Sequence, residues 1–227
     1  MHGHWNRLQS PKNTKLQARE NSKLSNTAVS EHSAEQTTTG LSHRSLLIWA
    51  FLGSECMFFG SLIATYLVYY GQSLPGTPTP AEVLDIPTTS TSTFVLLMSS
   101  FMMVLAYNAI SRGNVRNFRI WIMCTAILGA TFLGFQFFEF RDFAVHYGLT
   151  PRTNLFGSSF FTLTGFHGAH VTVGVIWLVS LFGYSFWGDL TKEHGLSVDI
   201  AALYWHFVDV VWIVIFTVIY LIGVTNG

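Results

Sequence analysis

The sequence predicts an all-α integral membrane protein, a bundle of five transmembrane helices with the N-terminus inside and the C-terminus outside. Three observations predict it. Half of the 227 residues are hydrophobic, 11% are charged and the mean hydropathy is +0.40, which is far from the composition of a soluble domain. Five apolar runs, about 45–70, 93–111, 118–140, 157–184 and 200–224, reach the ~20 residues that cross a hydrocarbon core of about 30 Å. The basic residues are segregated as well. Arg7, Lys12, Lys15, Arg19, Lys23 and Arg44 precede the first run, Arg112, Arg116 and Arg119 lie between the second and third, and Lys192 between the fourth and fifth; only Arg141 and Arg152 of the 12 fall on the other side. The positive-inside rule then puts residues 1–44 in the cytoplasm and, after five crossings, Gly227 outside.

Zero net charge gives no argument for nucleic acid or an acidic substrate. Residues 1–44 are rich in Ser, Asn, Thr, Gln and Lys and poor in large apolar residues, so they are expected to be a solvated polar tail ahead of a transmembrane domain over 45–227. No apolar h-region is read in residues 1–43, and Glu20, Glu31 and Glu35 count against an organelle transit peptide. Cys56 and Cys124 stand singly in apolar runs and are expected to be small buried residues, with neither a disulfide nor a thiolate metal site.

The first run carries Ser54-Glu55-Cys56-Met57-Phe58-Phe59-Gly60, and a Pro-rich loop over 71–92 follows it, with Glu82 and Asp85 but no base. In the third run Ala126, Ala130 and Gly134 repeat every four residues, a stripe expected to admit a neighbouring backbone. Its outer end holds Glu139 beside Arg141 and Asp142, where Glu139 is expected to meet the headgroup region or pair with Arg141. The fourth run, the longest, contains Gly165-Phe166-His167-Gly168-Ala169-His170, and its excess length suggests tilt or a projecting end. The fifth contains Tyr204-Trp205-His206-Phe207-Val208-Asp209-Val210-Val211-Trp212, with Trp205 a candidate headgroup contact. No internal repeat is evident, which counts against an inverted-repeat transporter.

Acids and imidazoles inside membrane spans are expensive and read as functional by default. At 1.5 Å per residue Glu55 lies about 15 Å from the cytoplasmic edge, His206 and His170 about 9 Å, and Asp209 and His167 about 14 Å, so one layer holds all five. His167 and His170 are three apart, as are His206 and Asp209, so each pair shares a face and the pairs can converge if the last two spans are neighbours. Three readings of this layer stand open: hydrogen-bonded contacts between helices, haem or metal ligation, and proton or lipid traffic. Desolvation favours a neutral Glu55. Asp209→Leu is expected to weaken assembly by stranding the partners of the carboxylate, whereas Asp209→Asn keeps them.

These motifs, in this order, resemble subunit III of the haem-copper oxidases, most closely cytochrome c oxidase subunit III in its bacterial five-span form, over residues 45–224. The resemblance implies an all-helical accessory subunit with no catalytic residue and no metal or cofactor of its own. Haem and copper sit in partner subunits. Such a subunit lies directly beside subunit I, with subunit II and a small subunit IV in the complex. It binds phospholipid and sustains proton uptake during aerobic respiratory electron transport in the plasma membrane. On this resemblance Glu55, His167, His170, His206 and Asp209 match the family's intramembrane polar residues. Two departures stand out: a polar tail replaces the first two spans of seven-span members, and Tyr184 stands where mitochondrial members carry a base that meets a lipid headgroup. A quinol oxidase subunit III, a subunit-III-like partner of nitric oxide reductase, and a stand-alone haem-binding or ion-translocating membrane protein are the alternatives.

Overall fold

The computed structural model describes residues 43–70, 84–187 and 195–222. The polar tail up to residue 42, Glu82, Lys192 and the C-terminal Gly227 lie outside the described residues. Five helices follow one another: α1 (His43–Tyr69), α2 (Ile86–Ser111), α3 (Val115–His146), α4 (Leu155–Trp187) and α5 (Gly195–Phe216), the last continued by a π-helical turn, Thr217–Ile222. Each includes a stretch long and apolar enough to cross a membrane. The chain divides into two compact units, residues 1–50 and 51–227. In the first, the described residues are the opening turns of α1; the packing below belongs to the second.

Helix ends depart from the apolar runs for local reasons. The second helix begins at Ile86 and not at Thr93, so residues 86–92 are helical although they were expected in the loop. Pro87 suits a first turn, where its missing N–H has no role. The polar run after it is neutralised from within: Thr91 donates to the Pro87 carbonyl at 3.0 Å, and Ser92 and Thr93 to that of Thr89 at 2.9 and 2.7 Å. α3 runs on to His146, and its 32 residues measure about 48 Å, longer than the hydrocarbon core. The turn between α2 and α3 is three residues, with Gly113 at φ +75, and Gly148 at φ +61 follows α3.

The described connections, three residues after α2 and eight after α3, make α2, α3 and α4 successive antiparallel neighbours. α2 packs on α3, α3 on α4, α4 on α5, and α5 back on α2, so four helices close a ring. The expected adjacency of the last two spans is present. α1 reaches the ring through one narrow seam: Leu52, Phe59 and Tyr66, seven apart, are its buried hydrophobic residues. Phe59 lies against the His167 and His170 rings of α4, and Tyr66 against Phe156. Met57, 79% exposed, and Cys56 face outward, so Cys56 is not the buried residue expected.

The ring closes on Trp205. Its side chain is 1% exposed, its Nε1 donates to Ser99 Oγ of α2 at 3.0 Å, and its indole fills a slot between Gly129 of α3 and Gly174 of α4. A Cβ at Gly129 would stand 2.6 Å from the indole, and one at Gly174 2.8 Å. Trp205 is therefore a core residue and not the candidate headgroup contact of the sequence. Seven residues on, Trp212 repeats the arrangement by donating to Thr93 Oγ1 of α2 at 2.9 Å. The α3 face that meets this core is Ile122, Thr125, Ala126, Gly129, Phe132 and Gln136. The expected small-residue stripe is thus displaced: Ala130 is exposed and a Cβ at Gly134 would meet nothing within 4 Å. Close approach was wanted around a flat indole, and Gly129, not the four-residue repeat, supplies it.

Candidate functional site

Glu55 of α1 and His170 of α4 meet. His170 Nε2 lies 3.1 Å from Glu55 Oε2, with the side chains 19% and 17% exposed. His170 Nδ1 lies 2.7 Å from the Phe166 carbonyl, which can only accept, so Nδ1 carries a proton and donates it. The Nε2 to Oε2 contact therefore holds a single proton, either as carboxyl donating to imidazole or as imidazolium donating to carboxylate. The pair is neutral overall in both forms. Phe58 and Phe59 flank the imidazole, with ring centroids 6.4 and 5.0 Å away, and the Tyr204 hydroxyl of α5 donates to the His170 carbonyl at 3.0 Å. Three helices are thereby tied at this point. Separated charge is disfavoured among rings and lipid, so Glu55→Gln is expected to abolish a protonated-carboxyl C=O stretch in the infrared difference spectrum at pH 7. An unchanged carboxyl region would place the proton on His170.

The second pair goes elsewhere. His206 Nδ1 lies 2.7 Å from Ser100 Oγ of α2, and the same hydroxyl faces the Asp209 carboxylate without reaching hydrogen-bond geometry. Asp209 is 4% exposed, and neither of its oxygens has a hydrogen-bond partner among the described residues. His167 shares this condition. It is fully buried, stacked on Trp212 at 4.8 Å between centroids and edged by Phe59 and Phe132, with both ring nitrogens unpartnered. The five polar residues of the expected layer thus form two hydrogen-bonded centres, Glu55 with His170 and Ser100 with His206, and two enclosed orphans. Among the described residues no hydrogen bond or ion pair joins the α4 pair to the α5 pair. Among the described residues no three His, Cys, Asp or Glu side chains gather as a metal cluster.

Glu139 turns inward. Its Oε1 accepts from Thr89 of α2 at 2.8 Å and from the Tyr220 hydroxyl at 2.9 Å, which ties α3 to α2 and to the π-helical turn. The expected pair with Arg141 is not made, because Glu139 and Arg141 are two residues apart on one helix and point to different faces. Arg141 is exposed and lines a groove near the end of α3 with Asp85, Asp142 and His146. Asp142 pairs with His146 at 2.6 Å, one turn on. Gln136, whose Nε2 donates to the Thr164 carbonyl at 2.7 Å, escaped the sequence reading, although a lone amide within an apolar run is a signal of the same kind as an acid. Ser99, Ser100 and Thr93 escaped it too, and they carry no such signal: hydroxyls are frequent in the second span and most close on their own helix.

Comparisons with known proteins cover nearly the whole chain. A family described as cytochrome c oxidase subunit III matches residues 23–224. Cytochrome c oxidase subunit 3 of Alkalihalophilus pseudofirmus is 38% identical over 190 residues, 84% of this chain and 92% of that protein. Quinol oxidase subunit 3 of Bacillus spizizenii is 39% identical over 175 residues, 77% of this chain and 85% of that protein. Cytochrome bo(3) ubiquinol oxidase subunit 3 of Pseudomonas aeruginosa is 35% identical over 175 residues, 77% of this chain and 83% of that protein.

Proposed function

The chain belongs to the cytochrome c oxidase subunit III family, and from that premise we propose that it is an accessory subunit of a proton-pumping haem-copper oxidase, holding no redox centre itself. It lies beside subunit I, with subunit II and a small subunit IV in the same complex, and haem and copper belong to those partners. Relatives named for cytochrome c and for quinol match at 38% and 39% identity, so we assign the role common to both and leave the electron donor to the partner subunits.

The observation that carries this reading is how the mid-span imidazoles are engaged. His170 has both nitrogens in contacts, His206 is held to Ser100, and His167 is packed between rings. Contacts of this kind average under about 1 kcal/mol each and serve to set helix register. That suits a subunit whose work is to support a neighbour, to sustain its proton uptake and to hold lipid. For lipid, Arg119 supplies the base that Tyr184 does not: it reaches across from α3, donates to Ser185 through Nε at 3.0 Å and lies 4.3 Å over the Phe186 ring, half-buried at the end of α4. We place that end, and the residues before α1, on the cytoplasmic side of the plasma membrane. A reporter active only in the cytoplasm, fused at Gly227 and working there, would reverse the orientation.

The test of the function is oxygen consumption over many turnovers by oxidase complexes with and without this chain, with optical spectra before and after. The first turnovers and the haem and copper spectra are expected to survive its removal. Endurance should fall severalfold, with uptake slowing most at high pH. Immediate loss of all activity together with a haem or copper signal would make this chain a redox subunit and end the proposal.

A further inference from the structure

We propose that the outer groove between α2 and α5 is the surface on which a transmembrane helix of another oxidase subunit docks, bringing a hydrogen-bonding group to His206 Nε2. This rests on the subunit assignment above and names the face that the assignment leaves open. Leu97 and Val104 on α2, and Val210 and Ile213 on α5, are exposed along this groove, with Ser100 and His206 half-buried between them. The positions repeat at helical spacing on both helices, 97, 100 and 104 on one and 206, 210 and 213 on the other, so they form one continuous strip.

The chemistry at its middle is what selects the occupant. His206 lies six residues past Ile200, where the uninterrupted apolar run begins, which is about 9 Å into a core of about 30 Å. Its Nδ1 is held by Ser100, so the ring turns Nε2 away from that contact, and Nε2 has no partner among the described residues. At this depth lipid offers acyl chains and nothing to hydrogen-bond, and an unpaired polar atom there costs several kcal/mol. Other exposed polar groups solve this internally. Ser54, Ser61 and Thr65 of α1, Thr131 of α3 and Ser180 of α4 each donate to a carbonyl of their own helix at 2.7 to 2.8 Å. Glu55 and His170 satisfy each other. An imidazole cannot close Nε2 on its own helix while Nδ1 is held by the next one. A facing helix supplies the missing group and covers the apolar strip in the same step.

The experiment is photocrosslinking in native membranes with the complete oxidase. A photoreactive amino acid is placed at Leu97 or Val210 in the groove, and, as controls on other exposed faces, at Ile127 of α3 or Val173 of α4. These sites are exposed, so the substitution leaves folding intact. Leu97 and Val210 are expected to form adducts with another oxidase subunit, and Ile127 and Val173 with lipid. His206→Leu should then lower retention of the chain in the complex about threefold to tenfold, and His206→Gln, which keeps a polar terminus, by less. Adducts with lipid alone at Leu97 and Val210, or with a second copy of this chain, in a complex that still co-purifies would overturn the docking face and leave the subunit assignment standing. Failure of the parent chain to co-purify with any oxidase subunit would overturn the assignment and the docking face together.

Discussion

Trp205→Ala is expected to lower the stability of the bundle by about 3 kcal/mol, the low end of the usual cost of truncating a buried tryptophan. The low end applies because lipid is itself apolar, so most of the loss is van der Waals contact and little is transfer from water. The effect is large because one side chain serves three helices. The indole is wedged between Gly129 and Gly174 and bonded to Ser99, so its removal empties the ring where α2, α3 and α4 converge on α5. The measurement is the unfolding midpoint in mild detergent against increasing denaturing detergent. Gly129→Ala should show the converse fault at about 1–3 kcal/mol, since a methyl 2.6 Å from the indole forces it out of its slot. Midpoints equal to that of the parent in both variants would mean that the ring does not close on Trp205.

Asp209→Leu should stabilise the bundle by about 1–2 kcal/mol, whereas the sequence alone suggested weaker assembly for this variant. The difference has a specific cause. Stranded partners would make the substitution costly, and among the described residues the carboxylate has none in hydrogen-bond geometry: both oxygens are buried, and the Ser100 hydroxyl that faces them is held by His206. Leucine keeps the same branched skeleton, so the desolvated oxygens are replaced without emptying the site. The same detergent unfolding experiment reads the sign, with Asp209→Asn as the variant that keeps the polarity. A clear fall in stability for leucine but not for asparagine would show that the carboxylate is bonded in the protein. A leucine variant that is more stable yet supports oxidase turnover for a shorter time would assign the acid a role other than holding the helices.

Much of this protein was legible without coordinates. Crossing the bilayer requires a long apolar run with its backbone bonds satisfied internally, so counting hydropathy found all five helices and missed mainly their ends. The same cost made every intramembrane acid and imidazole stand out, and the motifs around Glu55, His167 and His206 led to the family that the comparisons identify. What the sequence could not supply was direction. His167 and His170 differ by only about 60° around α4, yet the first ring enters the core against Trp212 and the second leaves it to meet Glu55. Trp205, a candidate headgroup contact, became the centre of the ring, and Glu139, expected at the headgroups or on Arg141, turned to Thr89 and Tyr220. By itself the sequence determined which segments span the membrane and which polar groups they carry, because those follow from each segment's own free energy of transfer. Only the tertiary structure decided what each group touches, because neighbouring helices meet α4 and α5 at different azimuths, and a turn of 60° is enough to exchange one neighbour for another.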